Sequence, residues 1–240
     1  MTKVEAIQQV MEDNHGTASL EIIYENIEKY YPAAKISNDW TAGIRGVLYR
    51  EIRNKKRFKK IGLSIYALAD YVEEQKPQKD DVIRMHSYIE GICIELGNFK
   101  KYQTFTADPS AQYRDNLHLL NIASINEIPQ FSYNEVVQEA KRMDVIWFNS
   151  KGLQFPQKVF EVVDSIGTLN GAFNRCLQLN NFRTDFFIVS PEQHRKKFIQ
   201  TMNLESYKES TERFKFINYD EIIELYENAS QVNKIESKIF

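Results

Sequence analysis

The residue types best suited to chemistry gather in two short segments of the second half of the chain. The first, Arg142-Met143-Asp144-Val145-Ile146-Trp147-Phe148, reads as an Asp opening a short apolar strand. A turn at Asn149-Ser150-Lys151-Gly152 follows, and Val159-Phe160-Glu161-Val162-Val163 reads as the next strand with a Glu inside it. Side chains alternate along a strand, so Val159, Glu161 and Val163 are expected on one face and Lys158, Phe160 and Val162 on the other. Acidic groups on two neighbouring strands can hold a divalent cation between them. Oxygen donors with open water positions suit Mg2+, with Mn2+ as a second candidate. Such an ion polarises a phosphoryl oxygen and offsets charge as a leaving oxygen departs. A lone Asp-to-Glu spacing matches many proteins, so on spacing alone a strand-capping Asp144 and a surface Glu161 are the favoured interpretation.

The apolar pattern supplies elements to position these segments. A long helix is expected over 80–97, ended by Gly97, then a strand over 100–106 and an irregular stretch from Asp108 to Asn134. A short helix at 134–141 precedes the strands at 143–148 and 158–163. Residues 169–179 form a helical pattern with Leu169, Phe173, Cys176 and Leu177 on one face. Asp185 to Ser190 is a nearly continuous apolar strand, as in the centre of a sheet. A helix from Pro191 through Met202, a strand at 214–217 and a helix at 219–228 complete an α/β core.

The first third of the chain has a different rhythm. Val4, Ile7, Val10 and Met11 mark a helix that Asn14-His15-Gly16 terminates. Leu20, Ile23, Tyr24 and Ile27 mark a second helix. A third carries Trp40, Ile44, Val47, Leu48 and Ile52 behind a Ser37-Asn38-Asp39 cap. Two short runs around Gly62 read as a β-hairpin. Three helices and a hairpin make a winged helix-turn-helix over residues 1–72, followed by a polar linker at 73–80 and the α/β domain at 81–240. Arg45, Arg50, Arg53, Lys55, Lys56, Arg57, Lys59 and Lys60 crowd the third helix and first wing strand, with Glu51 the one acid among them. Such a cluster neutralises phosphates, and an Arg-bearing helix can enter a major groove. A solvated charge run is the plainer alternative.

Composition narrows the classes further. Net charge is −2 over 240 residues, with no low-complexity tract to suggest disorder. Cys93 and Cys176 are the two cysteines, and with no C-x-x-C pair a zinc ribbon or disulfide framework is excluded. Two thiols in apolar helical patterns fit a reducing compartment. The N-terminus lacks a signal-peptide core, and no apolar run reaches the roughly 18 residues of a membrane span. A cytoplasmic protein with no membrane partner is expected. The histidines His15, His86, His118 and His194 show no metal-like spacing among themselves, and His86 is expected to be an ordinary helix residue.

Two resemblances sharpen these expectations. Residues 3–70 resemble the HARE-HTH winged helices, through Glu5-Ala6-Ile7, the Gly16 turn, Ile44 to Tyr49, Arg57-Phe58-Lys59-Lys60-Ile61-Gly62 and Tyr66-Ala67-Leu68. That resemblance implies binding of double-stranded DNA. Residues 85–228 resemble restriction-like PD-(D/E)xK nucleases. The matching features are Tyr88-Ile89-Glu90-Gly91, Asp144-Val145-Ile146-Trp147, Phe160-Glu161-Val162, Gly171 to Leu179, and Phe187-Ile188-Val189-Ser190-Pro191. The resemblance implies a mixed-sheet nuclease core in which Asp144 and Glu161 are metal ligands. The Val162 carbonyl would be a third donor and Glu90 an additional acid. It further implies a site-specific restriction or host-defence endonuclease, expected as a homodimer, with a companion methyltransferase as a further candidate partner.

One position departs from the family pattern. Val163 stands where Lys, Glu or Gln is expected, and a Val can neither orient water nor stabilise charge on phosphate. Three explanations compete. Asp164 reaches the site through a local bulge and acts as the catalytic group; Arg175 or Gln178 takes the role; or cleavage is lost, leaving a DNA-binding protein on a nuclease fold.

Overall fold

The computed structural model describes residues 1–78 and 81–239; Lys79 and Asp80, at the end of the expected linker, and Phe240 lie outside the described residues. Helix α1 (Lys3–Asp13) opens with a capping box in which Thr2 and Glu5 satisfy each other's backbone N–H. It stops at Asn14. Gly16 then takes a positive φ of 93° and donates its N–H to the Met11 carbonyl. A strand with no counterpart among the expected elements, β1 (Thr17–Ser19), follows. It is only three residues long and wholly buried, so it shows no alternation to detect. The Ser19 hydroxyl accepts from the Ile22 N–H and so caps α2 (Leu20–Asn26).

Helix α3 (Trp40–Arg53) leads to β2 (Phe58–Lys60) and β3 (Ile65–Leu68), an antiparallel pair that β1 extends to the order β1-β3-β2. Ile7, Ile23, Ile44, Leu48 and Ile65 fill the space between these helices and the small sheet.

The second part begins with α4 (Val82–Phe99), β4 (Gln103–Thr106), the small hairpin β5 (Gln112–Arg114) and β6 (Leu117–His118), and α5 (Asn134–Ala140). It continues through β7 (Val145–Phe148), β8 (Pro156–Val162), α6 (Leu169–Leu177), β9 (Asp185–Ser190), α7 (Arg195–Met202), β10 (Phe214–Asn218) and α8 (Tyr219–Ile239). Five strands form a mixed sheet in the order β10-β9-β8-β7-β4. β8, β9 and β10 run parallel, while β8, β7 and β4 alternate in direction. The protein is therefore α/β, with helices on both faces of the sheet.

The alternation expected along β8 holds. Phe160 and Val162 join Val145 and Trp147 in the core beneath α4 and α8, whereas Val159 and Val163 join Ile146 and Phe148 in the core beneath α5, α6 and α7. Several boundaries differ from expectation: β4 starts at Gln103, α7 at Arg195, and the β5–β6 hairpin lies inside the stretch expected to be irregular. Helix α4 does not end at Gly97 but runs on to Phe99. Gly97 is there for space, since a Cβ would lie 2.5 Å from Thr104 Cγ2. Helix α8 likewise continues well past residue 228.

The two parts share one buried apolar cluster, which runs from Ile7 and Leu48 to Ile89 and Tyr226. At its centre lies Glu95 on α4, with no exposed surface. Its Oε2 accepts from the N–H groups of Leu63 (2.7 Å) and Ser64 (3.1 Å) in the hairpin turn. Its Oε1 accepts from the hydroxyls of Tyr113 (2.9 Å) and Tyr226 (2.8 Å). Gly62 permits this approach, because a Cβ there would sit 2.7 Å from Glu95 Oε2. Arg114 adds a bond to the Ile61 carbonyl at 3.0 Å. Polar residues 73–78 lie along the second part, where Glu74 and Asp115 exchange backbone-to-carboxylate bonds at 2.7 Å in both directions.

Replacing Glu95 with Ala leaves four buried donors without an acceptor. Each such loss costs about 1–3 kcal/mol, discounted where the vacated space lets the donors find new partners. Glu95→Ala is expected to lower stability by about 3–5 kcal/mol and to separate the unfolding of the two parts. Urea titrations of Trp40→Phe and Trp147→Phe variants, each retaining one Trp as reporter, test this: their midpoints coincide with Glu95 and diverge with Ala.

Glu21 gives a second test. Burial, partly offset by its own backbone N–H, raises its carboxyl from an ordinary 4.5 to about 7, and its Oε2 has no hydrogen-bond partner. The folded state holds this proton more tightly than the unfolded state, so stability falls as pH rises from about 4.5 through 7. Glu21→Gln should match the parent protein in thermal unfolding at pH 4 and exceed it at pH 8.

Candidate active site

Asp144 lies immediately before β7, where β7 and β8 begin to part. Val145 pairs with Phe160, which sets Asp144 at the level of Glu161 on the neighbouring strand. The Asp144 Oδ2 accepts the Val162 N–H at 2.7 Å, a bond that a strand carbonyl would otherwise make. The Val162 carbonyl projects from the same edge of β8, toward this gap. Helix α4 crosses above and presents His86 and Glu90, four residues apart and therefore on one face. One ligand atom from each of His86, Glu90 and Asp144 lies within 4.8 Å of the other two, the single such grouping among the described residues. Glu90 is 2% exposed, and its Oε2 has no hydrogen-bond partner. An unpaired buried carboxylate oxygen facing two further donors is the condition a cation would relieve, so these residues fit a metal.

Two braces hold the cluster. On the α4 side, His86 Nδ1 meets Asp164 Oδ2 at 2.5 Å, and the Tyr219 hydroxyl donates to the other Asp164 oxygen. On the α6 side, Arg175 grips both oxygens of Glu161, its Nε 2.9 Å from Oε1. Glu161 has no exposed surface, whereas the Arg175 side chain remains 32% exposed.

The electrostatics follow from crowding acids out of water. Burial lifts Glu161 to about 8 despite Arg175, and Glu90 to about 7 despite His86. Burial also raises Asp144, against the pull of the Val162 N–H. Burial disfavours the charged form of His86, but its bond to Asp164 and the negative charge of nearby Glu90 prevail and raise it to about 10. Asp164 loses some water too, yet the bonds from His86 and Tyr219 hold it below its usual range.

The expected site residues separate into groups. Asp144 and Glu90 stand together in the cluster. Glu161 neighbours Asp144 but is taken up by Arg175, and Val162 offers its N–H to Asp144. Asp164 does reach the site, without a bulge: the irregularity in this strand pair lies at Trp147/Phe148, and plain alternation carries Asp164 to the α4 side after Phe160 and Val162. Val163 is 2% exposed in the apolar core with Leu169 and Phe173. A charge placed there would be buried unpaired, so a Glu at 163 reports on packing rather than on chemistry. His86, expected to be an ordinary helix residue, is instead a member of the cluster. Its signal in the sequence is the pair His86-x-x-x-Glu90, which the spacing of histidines alone does not reveal.

The basic residues also divide. Arg50, Arg53, Lys55, Lys56 and Arg57 are exposed at the end of α3 and in the turn to β2. Among these, Arg57 bonds Gln8 Oε1 at 3.1 Å and Arg50 lies 3.9 Å from Glu51. The remaining three, Arg45, Lys59 and Lys60, are less exposed and also have internal partners. Arg45 bonds the Tyr24 hydroxyl at 3.0 Å, Lys59 donates to the Tyr71 carbonyl at 2.5 Å, and Lys60 reaches Asn233 on α8.

A mixed α/β sheet with acids gathered at the end of two adjacent strands is compatible with a nuclease core. The model of one protein family, the type II restriction enzyme NmeDI C-terminal domain, matches residues 68–239, and the chain belongs to that family. The match takes in every residue of the cluster and its braces; the three-helix module lies ahead of it. No curated protein and no solved structure matches the chain. Among the described residues no helix is long and apolar enough to cross a membrane.

Membership in a restriction-enzyme family makes DNA the substrate against which the basic surface is judged. Each phosphate that a side chain no longer neutralises reduces the slope of log affinity against log salt by about 0.9. Arg53→Ala with Lys56→Ala should flatten that slope measurably in fluorescence anisotropy with duplex DNA, and Lys60→Ala should leave it unchanged.

Proposed function

We propose that the chain is a site-specific, divalent-metal-dependent DNA endonuclease of restriction or host-defence type. In this reading the C-terminal α/β domain is a PD-(D/E)xK-like core, and residues 1–72 are a winged helix that delivers duplex DNA. The observation that carries it is the convergence of Asp144, Glu90 and His86 around an unsatisfied buried oxygen, within a restriction-enzyme family domain.

A bound Mg2+ or Mn2+ supplies Lewis-acid polarisation of a phosphoryl oxygen. Asp144 and Glu90 hold that ion, and Glu161 contributes its charge from beside Asp144. Arg175, partly exposed on the α6 side where it pairs with Glu161, would supply the positive charge that Val163 does not. A cleft of about 400 Å³ lined by Met85, Asp164, Pro191, Asn218 and Tyr219 reaches the bracing residues Asp164 and Tyr219, one step from His86. Cutting both strands calls for two such sites, hence a homodimer. A companion methyltransferase would protect the host's own sites.

A second reading is favoured by two observations: Val163 is sealed in apolar packing, and Glu161 is locked to Arg175. The chain is then a DNA-binding regulator or specificity partner on a nuclease fold. Plasmid incubation separates the two. The endonuclease reading expects linear product with Mg2+ or Mn2+, none with EDTA, and at least ~100-fold slower cutting by Asp144→Asn, beyond what loss of an outer-sphere partner costs. Retained DNA binding with no cutting in any divalent metal selects the second reading.

A further inference from the structure

We propose that His86 ligates the same cation as Glu90 and Asp144 through its Nε2, and that the centre consequently prefers a first-row transition ion such as Mn2+ or Co2+ to Mg2+. This assignment rests on the metal-centred reading above and names the chemistry of its cofactor.

The imidazole is held as a metal-ligating His is usually held. Nδ1 is occupied by Asp164 at 2.5 Å, so the free nitrogen is Nε2. Nε2 points at Glu90 but stands 3.6 Å from its Oε1, too far for a hydrogen bond. The adjacent Glu90 Oε2 has no partner at all. Nε2 and the Glu90 carboxylate thus lie close with no hydrogen bond between them, and one Asp144 oxygen lies within 4.8 Å of a ligand atom of each residue.

The carboxylate behind the ring fixes its orientation and strengthens its basicity, as in carboxylate–histidine–metal arrangements. Tyr219 then fixes the carboxylate, donating from the first residue of α8. Asp164 and Tyr219 are positioning residues in this scheme, acting through His86. An all-oxygen shell suits Mg2+, which demands near-ideal octahedral geometry, while an imidazole nitrogen shifts preference toward transition ions. The bland competitor is a His86–Asp164 ion pair that merely braces α4 against the end of β8.

Pulsed EPR on the full chain loaded with Mn2+ distinguishes them, because a directly bound imidazole gives 14N modulation and a brace does not. Calorimetric titration with Mn2+, Co2+ and Mg2+ gives the preference. The expected results are 14N modulation in the parent protein, its loss in His86→Ala with at least ~10-fold weaker Mn2+ binding, and little change in Mg2+ binding. His86→Asp should restore Mn2+ binding without modulation and narrow the preference over Mg2+. Asp164→Asn should keep the modulation but weaken Mn2+ by about 10–100-fold.

Absence of Mn2+ binding, absence of 14N modulation in the parent protein, or an unchanged Mn2+ affinity in a folded His86→Ala overturns the assignment. Should His86→Ala fail to fold, as judged by circular dichroism without metal, the parent spectrum decides. Modulation alongside intact plasmid keeps His86 as a ligand and sinks the endonuclease; cutting with oxygen-only ligation does the reverse.

Discussion

A carboxylate can be buried without great cost only if its lone pairs are filled. At Glu95 four donors fill them, two backbone N–H groups from the hairpin turn and two tyrosine hydroxyls from β5 and α8. That single requirement sets α4 against the hairpin, the small β5–β6 ribbon and the last helix at once. Everything else on α4 inherits this placement. His86 lies nine residues earlier on the same rod, roughly 14 Å away at 1.5 Å per residue, and Glu90 lies between. The β2–β3 hairpin and the candidate metal ligands His86 and Glu90 are thus fixed relative to one helix.

Glu90 and Glu95 make an instructive pair because they share a helix and a depth of burial but not a fate. Glu95 is satisfied by neutral donors and does structural work. Glu90 keeps one oxygen without a partner, and burial drives its carboxyl upward. A protein that needed only stability would do better with an apolar residue there. Polarity is left uncompensated at Glu90 and fully compensated at Glu95, about one and a half helical turns further along α4.

Much of this is legible in the sequence, for identifiable reasons. The run Asp185 to Ser190 announces a central strand because both its faces are buried, and the structure places β9 between two parallel neighbours. The alternation of Val159, Glu161 and Val163 predicts which residues share a face, since a period of two survives any register. Asp144 stands out as the acid that opens Val-Ile-Trp-Phe, although its spacing to Glu161 alone fits a strand cap as well. What stays hidden depends on contacts distant in sequence. Gly97 looks like a helix stop, and only the approach of Thr104 and Trp147 shows that it is a packing glycine. Glu95 looks like one more polar position on a mostly apolar helix, because its donors come from residues 63, 64, 113 and 226. His86 escapes notice since its partners Asp144 and Asp164 are brought to it by the sheet, not by the chain.

Strand geometry also accounts for Val163, at the position where the PD-(D/E)xK resemblance implies a polar residue. Along β8 and its continuation, Glu161 and Val163 point toward α6, and Asp164 points toward α4. Asp144 lies at the gap between β7 and β8, close to both sides. The site is therefore two-faced, with a nitrogen-and-oxygen cluster on one side and a carboxylate–guanidinium pair on the other. Positive charge is present on the second face, but it arrives from the helix as Arg175 and not from the strand. A residue at 163 would have to displace Leu169 and Phe173 to reach the same place, whereas a side chain from α6 descends on Glu161 directly. Supplying the cation from the helix leaves the strand free to keep an apolar residue where the core needs one.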